Sequence, residues 1–131
     1  MSAAESYPDD LRYHAEHDWA RVEGDEATLG VTWFAQDALG ELVHYEAPEA
    51  GATVTKDESY GEVESVKAVS EIVAPLSGEV LEVNQKVADE PETVNDDPYG
   101  AGWLIRIRMS DASELETLMD AEAYRAHVAE Q

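Results

Sequence analysis

Short runs in which apolar and polar residues alternate, separated by turn residues, recur along most of this chain of 131 residues. In the clearest run, 103–109, Trp103, Ile105, Ile107 and Met109 occupy every second position. Because successive side chains of a strand point to opposite faces, this pattern predicts strands with one buried face. A series of such short strands predicts a mainly β protein, and the length suits a single domain.

Turn residues mark where several of these strands begin and end. Residues 23–25, Glu-Gly-Asp, predict a hairpin turn before a strand in which 27, 29 and 31 are apolar. Val43 and Tyr45 predict another strand, with both side chains on one face. The Pro-Leu-Ser-Gly segment 75–78 predicts a turn between two further strands.

Two segments have helical rather than strand signals. Thr32 predicts an N-cap for a short helix near 33–39, and Gly40 predicts its end. Near the C-terminus, Ser113 and Glu116 have the spacing of a capping box and predict the start of a C-terminal helix. The apolar residues at helical spacing in that helix are Leu115, Leu118, Met119 and Tyr124.

The remaining segments define the domain boundaries. The polar residues 1–8 predict a flexible N-terminus, and 9–131 predict one domain. The Pro, Asp and Gly residues of 90–102 predict a loop. The chain has no run long enough for a transmembrane helix and no signal-peptide pattern in 1–10, so we expect a soluble cytoplasmic protein. The absence of cysteine excludes disulfides, thiolate metal sites and thiol nucleophiles.

Charge restricts the partners of this chain. Eight Lys and Arg residues against thirty Asp and Glu residues give a net charge of −22. A field of this sign repels nucleic acids and anionic membranes, so we expect neither as a partner. An acidic surface could attract basic partner proteins, but with only three lysines a salt-rich cytoplasm, where ions screen the self-repulsion, is the favoured interpretation. Stability is therefore predicted to fall in dilute buffer.

Enzymatic motifs are scarce. No nucleophile elbow, phosphate-binding loop or dinucleotide fingerprint occurs in the sequence. His14 and His17 have a spacing that could hold a metal ion on a helix and would suit a metal-assisted hydrolase. Among thirty acids such spacings also arise by chance, and surface polar residues are the favoured interpretation. We expect no catalytic residues and no metal.

Lysine is rare enough to be informative, since the chain contains only Lys56, Lys67 and Lys86. Lys56 and Lys86 lie in polar, loop-like surroundings. Lys67 lies where the alternating pattern loses its phase, between Val66 and Ala68. A hairpin tip there would hold the backbone rigid and expose the amine to an acylating enzyme. From spacing alone, an ordinary solvated lysine is still the favoured interpretation.

Two motifs around Lys67 resemble the modified-lysine hairpin of lipoyl and biotinyl carriers: 64–68, Glu-Ser-Val-Lys-Ala, and 74–80, Ala-Pro-Leu-Ser-Gly-Glu-Val. Biotin carriers usually have methionines where this chain has Val66 and Ala68. Over about residues 8–128, the chain is identified as a member of the H-protein family of the glycine cleavage system. Its matching positions are Leu11-Arg12-Tyr13, His17-Asp18-Trp19, Gly30-Val31-Thr32, Ala35-Gln36, Leu39-Gly40-Glu41, Pro48, Gly51, Gly61–Ala68, Val83-Asn84, Asn95, Pro98-Tyr99 and Gly102-Trp103-Leu104.

This resemblance implies a fold and a function. The fold would be a barrel-sandwich hybrid of two antiparallel sheets, with the hairpin turn at 65–68. The protein would be a non-catalytic carrier with lipoic acid joined by an amide to Lys67. It would take an aminomethyl group from the pyridoxal-phosphate glycine decarboxylase to the folate-dependent aminomethyltransferase. Dihydrolipoamide dehydrogenase, a flavin enzyme, would reoxidise the dithiol with NAD. We expect a monomer; the alternative function is a relay that supplies lipoyl groups to other enzymes.

The resemblance also implies roles for residues near the arm. Glu64, Ser65, Val66 and Ala68 match the context that a lipoylating enzyme recognises. Asp18 stands where the family commonly has Glu and is predicted to contact the cationic amine of the loaded arm. The family often has an acid directly after Thr32 and a histidine in the next helical turn. This chain has Trp33-Phe34 and Ala38 there instead, which leaves the shape of the protective cleft open.

Overall fold

Nine strands form two antiparallel sheets in the computed structural model, which describes residues 3–131. The larger sheet has the order β1-β2-β3-β9-β8-β5, and the smaller has the order β4-β6-β7. The strands are β1 (Arg12–His14), β2 (Asp18–Glu23), β3 (Glu26–Val31), β4 (Leu42–Glu46), β5 (Thr53–Val54), β6 (Ser59–Ser65), β7 (Val69–Val73), β8 (Gly78–Val83) and β9 (Ile105–Met109). This architecture confirms the predicted mainly β fold of two sheets.

Side chains from both sheets meet in one apolar core. Leu29 and Ile107 of the larger sheet are buried in the same cluster as Val63 and Ile72 of the smaller one. The hairpin predicted at 23–25 joins β2 to β3, with Gly24 at φ 65° in the first of the two turn positions. A positive φ at that position matches the turn to the twist of the strands. Each sheet therefore covers the apolar face of the other, as the period-2 pattern requires.

Four short α-helices lie around this core: α1 (Trp33–Leu39), α2 (Gln85–Asp89), α3 (Thr93–Asp96) and α4 (Ala121–Ala129). The helix predicted near 33–39 is confirmed by α1, where the Thr32 hydroxyl accepts a hydrogen bond from the Ala35 N–H at 3.3 Å. Gly40 ends α1 at φ 85°. No helix within 3–131 is long and apolar enough to cross a membrane.

The C-terminal helix begins later than predicted. The capping box from Ser113 to Glu116 is wrong, because Asp111 caps this segment and accepts a hydrogen bond from the Ser113 N–H. That cap starts a 3-10 helix, Ala112–Thr117. The chain then extends so that Met119 exchanges two backbone hydrogen bonds with Tyr13 of β1. Pairing with the sheet edge interrupts the helix, and α4 starts only after the Asp120 N-cap.

Two further local predictions need correction. The predicted loop 90–102 contains α3, which holds buried Asn95 against α1. On β4, Leu42 and Tyr45 are buried, whereas Val43 is 49% exposed. A bulge between Leu42 and His44 adds one residue to the strand and changes which side chains face the core.

Residues 3–8 contact the rest of the domain. The Ala3 N–H donates to the Asn95 carbonyl at 2.9 Å, and the Trp33 indole N–H donates to the Ala3 carbonyl at 2.8 Å. Tyr7 is buried with the aromatic residues of α4 and β1. Flexibility of 1–8 and a single domain over 9–131 stay predictions, and residues 1 and 2 lie outside the described part of the chain.

Replacing Gly30 with Ala should destabilise the fold by about 2 kcal/mol, because a Cβ there overlaps a buried ring that has no room to move. It would lie 2.5 Å from Cζ2 and 2.6 Å from Cε2 of Trp19, whose side chain is fully buried. Urea unfolding would measure the loss. The overlapping atoms, which also include Nε1 at 2.7 Å, belong to an indole that is larger than a phenylalanine ring. The double variant Gly30→Ala/Trp19→Phe should therefore lose less stability than the two single changes summed, and strict additivity would contradict this account.

Candidate functional site

The β6–β7 hairpin carries Lys67 at its tip. Glu64 pairs with Val69 across the two strands, and the Ser65 N–H donates to the Ala68 carbonyl at 2.8 Å. Val66 and Lys67 occupy the two positions between these ends. The tip is therefore a tight turn, and the turn that the resemblance implied at 65–68 is present.

The Ser65 side chain closes this turn. Its hydroxyl accepts hydrogen bonds from the Lys67 N–H at 3.2 Å and the Ala68 N–H at 3.1 Å. A serine hydroxyl that accepts from the backbone two or three residues later forms an ST turn. Neither glycine, proline nor asparagine is present at 65–68, so sequence reasoning found no turn signal there. The serine was the signal that it missed.

Exposure changes sharply along the hairpin. Val63 and Ser65 are buried, at 1% and 4% exposure, and they tie β6 to the core. Lys67 is exposed, and Val66 and Val69 beside it are 80% and 59% exposed. An ordered backbone therefore presents a free side chain, as a tethered carrier group requires.

The three lysines differ in their partners. The Lys56 ammonium lies 3.0 Å from an Asp57 carboxylate oxygen, and the Lys86 ammonium lies 3.5 Å from a Glu90 oxygen. Within residues 3–131, the Lys67 amine takes part in no ion pair. Lys67 is therefore the lysine whose amine is both exposed and uncommitted to an acid in the described chain.

The stem of Lys67 lies against the end of α1. A Cβ built on Gly40 would be 3.6 Å from Cε of Lys67, an ordinary contact distance. The Asn95 amide donates to the Gly40 carbonyl and accepts from the Leu42 N–H, both at 2.9 Å, which fixes this segment. A recess of about 260 Å³ opens beside it, lined by Gln36, Asp37, Gly40, Glu41, Glu92, Asn95 and Asp96. A wider recess of about 670 Å³ lies elsewhere, between 5–9 and α4.

Asp18 lies far from the hairpin tip and inside the protein. Its side chain is 2% exposed, and it receives a hydrogen bond from the backbone of Val73 at the opposite end of β7 from Lys67. Burial raises the pKa of Asp18 well above its usual value, and the nearby Glu16 charge adds to that effect. The buried Tyr60 hydroxyl near Asp18 has no hydrogen-bond partner among the described residues. The structure thus brings 64–68 together and places Asp18 apart from them.

Replacing Asp18 with Asn should stabilise the protein at neutral pH and do little in acid. Because the folded pKa is raised above the usual 3.8, the folded state is favoured while Asp18 is protonated. That contribution is complete below the unfolded pKa and is lost as pH rises through the folded pKa. We expect urea unfolding at about pH 8 to show a gain on the order of 1–3 kcal/mol, shrinking towards about pH 4. Exposed Asp10→Asn is the control, and an equal gain at both pH values would contradict the prediction.

His14 and His17 make separate contacts. Nε2 of His14 lies 2.7 Å from an Asp57 carboxylate oxygen, whereas Nδ1 of His17 lies 2.7 Å from the Tyr124 hydroxyl. The His17 ring also packs on Phe34, with ring centroids 4.5 Å apart. Burial lowers the pKa of His17, with the adjacent His127 adding to the effect. No group of three or more histidine or acidic side chains within 3–131 has the arrangement of a metal site.

Trp33, Phe34 and Ala38, which stand where the family often has an acid and a histidine, lie in two different environments. Trp33 and Phe34 pack with the aromatic cluster that contains Tyr13, Trp19 and Tyr124. Ala38 is exposed on α1. The larger side chains therefore join the N- and C-terminal segments to the sheet.

Comparisons with known proteins agree with the geometry. The profile of the family described as Glycine cleavage H-protein matches residues 11–131. A glycine cleavage system H protein from Anaeromyxobacter sp. (strain K) is 56% identical over 124 residues, covering 95% of this chain and 97% of the relative. One from Bacillus cereus (strain AH820) is 50% identical over 119 residues, covering 91% and 94%. The crystal structure of such a protein from Mycobacterium marinum superposes with a TM-score of 0.86 at 41% identity, covering 93% of this chain and 98% of that one.

Proposed function

The chain belongs to the glycine cleavage H-protein family, and we propose that Lys67 is the residue to which its lipoyl group is attached. Its function is that of the lipoyl-carrying shuttle of the glycine cleavage system. Members of this family are carrier components of that system, and we propose that this chain has no catalytic residues of its own.

One observation carries the assignment to Lys67. Of the three lysines, it is the one that a closed turn exposes with its amine in no ion pair to another described residue. An acylating enzyme needs an accessible amine on a backbone that does not have to be ordered during binding. Lys56 and Lys86 would each have to give up a neighbouring carboxylate first.

The residues around Lys67 fit a lipoyl group. Amide formation removes the charge of the amine, so that a loaded arm enters an apolar partner site without the cost of burying an ammonium group. Val66 and Val69, which lie beside the base of the arm, are exposed and uncharged. When attached, a lipoyl group supplies two sulfur atoms that accept an aminomethyl group and electrons. The chain itself supplies the rigid base on which that arm swings.

The proposed partners follow from the groups that the lipoyl arm would accept and release. Glycine decarboxylase with pyridoxal phosphate would load the arm, and the folate-dependent aminomethyltransferase would unload it. Dihydrolipoamide dehydrogenase with FAD would restore the disulfide, and a lipoylating enzyme would install the arm. The proposed carrier works in the cytoplasm as a monomer that diffuses between these enzymes.

Asp18 is the proposed contact for the cationic amine of the loaded arm. The proposal is supported by a carboxyl group that receives one backbone hydrogen bond and whose charge a bound cation would restore. Because Asp18 is closed off at the far end of β7, the arm would have to lie along that strand and open the core edge to reach it. Asp18→Asn should therefore slow glycine-dependent NADH formation and leave lipoylation of Lys67 unchanged. An unchanged rate would remove Asp18 from the site.

Reconstitution tests the function. Purified decarboxylase, aminomethyltransferase and dehydrogenase, with tetrahydrofolate, glycine and NAD, should form NADH when the lipoylated chain is added. The same chain without the lipoyl group is the matched control and should give only background. Failure of the lipoylated chain to support NADH formation would overturn the proposal and favour the relay of lipoyl groups to other proteins.

A further inference from the structure

We infer that Ser65 is a positioning residue for the acylation of Lys67, acting through the shape of the turn and not through contact with the modifying enzyme. This inference rests on the proposed function of Lys67. The Ser65 side chain is enclosed by the hairpin, since the residue is only 4% exposed. An enzyme that docks on the tip can reach Glu64, Val66 and Ala68, which are exposed, but it has little access to the Ser65 hydroxyl.

The backbone of the turn explains why a side chain is needed. Two-residue hairpin loops favour positive φ angles, because these match the twist of the strands. Val66 and Lys67 both have negative φ, since the non-glycine residues with positive φ in 3–131 are His17 and Asp57. A valine and a lysine in the favoured left-handed conformation would be strained. The tip therefore adopts an unstrained backbone that is poorly matched to the strands.

The Ser65 hydroxyl makes up for that mismatch. In a closed β-turn the fourth residue donates to the carbonyl of the first. Here the Ala68 N–H donates to the Ser65 hydroxyl instead, and the Lys67 N–H donates to the same oxygen. The hydroxyl in turn lies 3.4 Å from the Ala68 carbonyl, to which it can donate. One oxygen thus holds both amides that flank the Cα of the modified lysine.

The acylation step places Ser65 outside the reacting atoms. Nζ of Lys67 attacks the carbonyl carbon of a lipoyl adenylate, which the ligase makes from lipoate and ATP. The Nζ–C amide bond forms, the bond from that carbon to the phosphate oxygen breaks, AMP leaves, and Nζ loses a proton. Ser65 touches none of these atoms. Its effect is to order the backbone before the ligase binds, which lowers the conformational entropy lost in the complex.

The test measures lipoylation kinetics by intact mass, with a purified lipoate ligase, lipoate and ATP and with the carrier concentration varied. Ser65→Ala should lower kcat/KM by about tenfold, mainly through a higher KM for the carrier, because two backbone amides lose their acceptor. Ser65→Thr keeps the hydroxyl and should recover most of the rate. Ser70→Ala is the matched control on the same hairpin and should react like the unaltered protein, since among the described residues the Ser70 hydroxyl hydrogen-bonds only to the Glu71 carbonyl.

A second measurement separates the turn from global stability. Amide hydrogen exchange at Lys67 and Ala68 should accelerate in Ser65→Ala, while the core amide of Val63 keeps its protection. Equal kcat/KM for Ser65→Ala and the unaltered protein would overturn the inference, as would equal losses in the Ala and Thr variants. Modification of Lys56 or Lys86 in the unaltered protein would instead overturn the proposed function, so the two failures are distinguishable.

Discussion

Replacing Lys67 with Arg should abolish lipoylation and, with it, all glycine-dependent NADH formation. Arginine keeps the positive charge and similar length, but its guanidinium stays protonated and does not form the amide. Intact-mass analysis after incubation with lipoate ligase, lipoate and ATP should show one lipoyl addition in the unaltered protein and none in Lys67→Arg. Because the side chain is exposed, the free energy of unfolding should change by less than about 0.5 kcal/mol.

Two matched variants make this experiment decisive. Lys56→Arg and Lys86→Arg change the other two lysines, which lie beside Asp57 and Glu90. Both should accept one lipoyl group at the rate of the unaltered protein. A lipoyl group found on Lys56 or Lys86, or a lipoyl addition that survives in Lys67→Arg, would contradict the assignment.

Transfer from about 1 M salt to about 10 mM salt should lower the melting temperature by roughly 10 °C, because the range of unscreened repulsion grows from about 3 Å to about 30 Å. The net charge of −22 sets the sign of this change. A melting temperature that stays constant over this range would refute the prediction. The location of the repulsion follows from the register of the smaller sheet.

That sheet carries a row of like charges. Glu46 pairs with Glu62, and Glu62 pairs with Glu71, so the three side chains lie on one face of neighbouring strands. Like charges directly opposite each other destabilise a sheet. Within 3–131 none of these three acids takes part in an ion pair. On the larger sheet, by contrast, Arg106 lies 3.0 Å from Glu82 and 3.4 Å from Glu26.

This contrast gives two neutralising variants with opposite signs. Glu62→Gln removes the central charge of the row and should raise the melting temperature in dilute buffer. Glu82→Gln removes one of the two acidic partners of Arg106 and should lower the melting temperature slightly, since exposed ion pairs contribute little. Both differences should vanish at about 1 M salt, where charges are screened beyond about 3 Å. The same sign for both variants in dilute buffer would show that net charge alone, and not the register, controls the effect.

Local rules succeeded where a signal lies within a few residues. The cap at Thr32 and the stop at Gly40 set α1, and the Glu-Gly-Asp segment set the β2–β3 turn. They failed where a distant partner decided. Pairing of Met119 with Tyr13 broke the C-terminal helix, and the bulge on β4 exposed Val43. Neither outcome could be predicted from the spacing of nearby residues.

At the site, too, the sequence predicted some features and missed others. The motif around Lys67 identified the lysine because its residues are consecutive, and the resemblance supplied the turn. The hydrogen bonds that hold the turn were not predicted. A serine side chain can cap a turn, donate a hydrogen bond or remain solvated, and only the folded hairpin encloses the Ser65 hydroxyl. For Asp18, the motif predicted a role without predicting its burial.

Strand periodicity, turn residues and the carrier motif were readable from the sequence alone, because each depends on residues close together along the chain. The tertiary structure alone decided that the Ser65 hydroxyl holds the tip, that Asp18 is enclosed and that three glutamates share one row. These properties depend on which strands become neighbours and at what register. The free energy that selects this register comes from burial of the whole core, to which residues far apart in the sequence contribute.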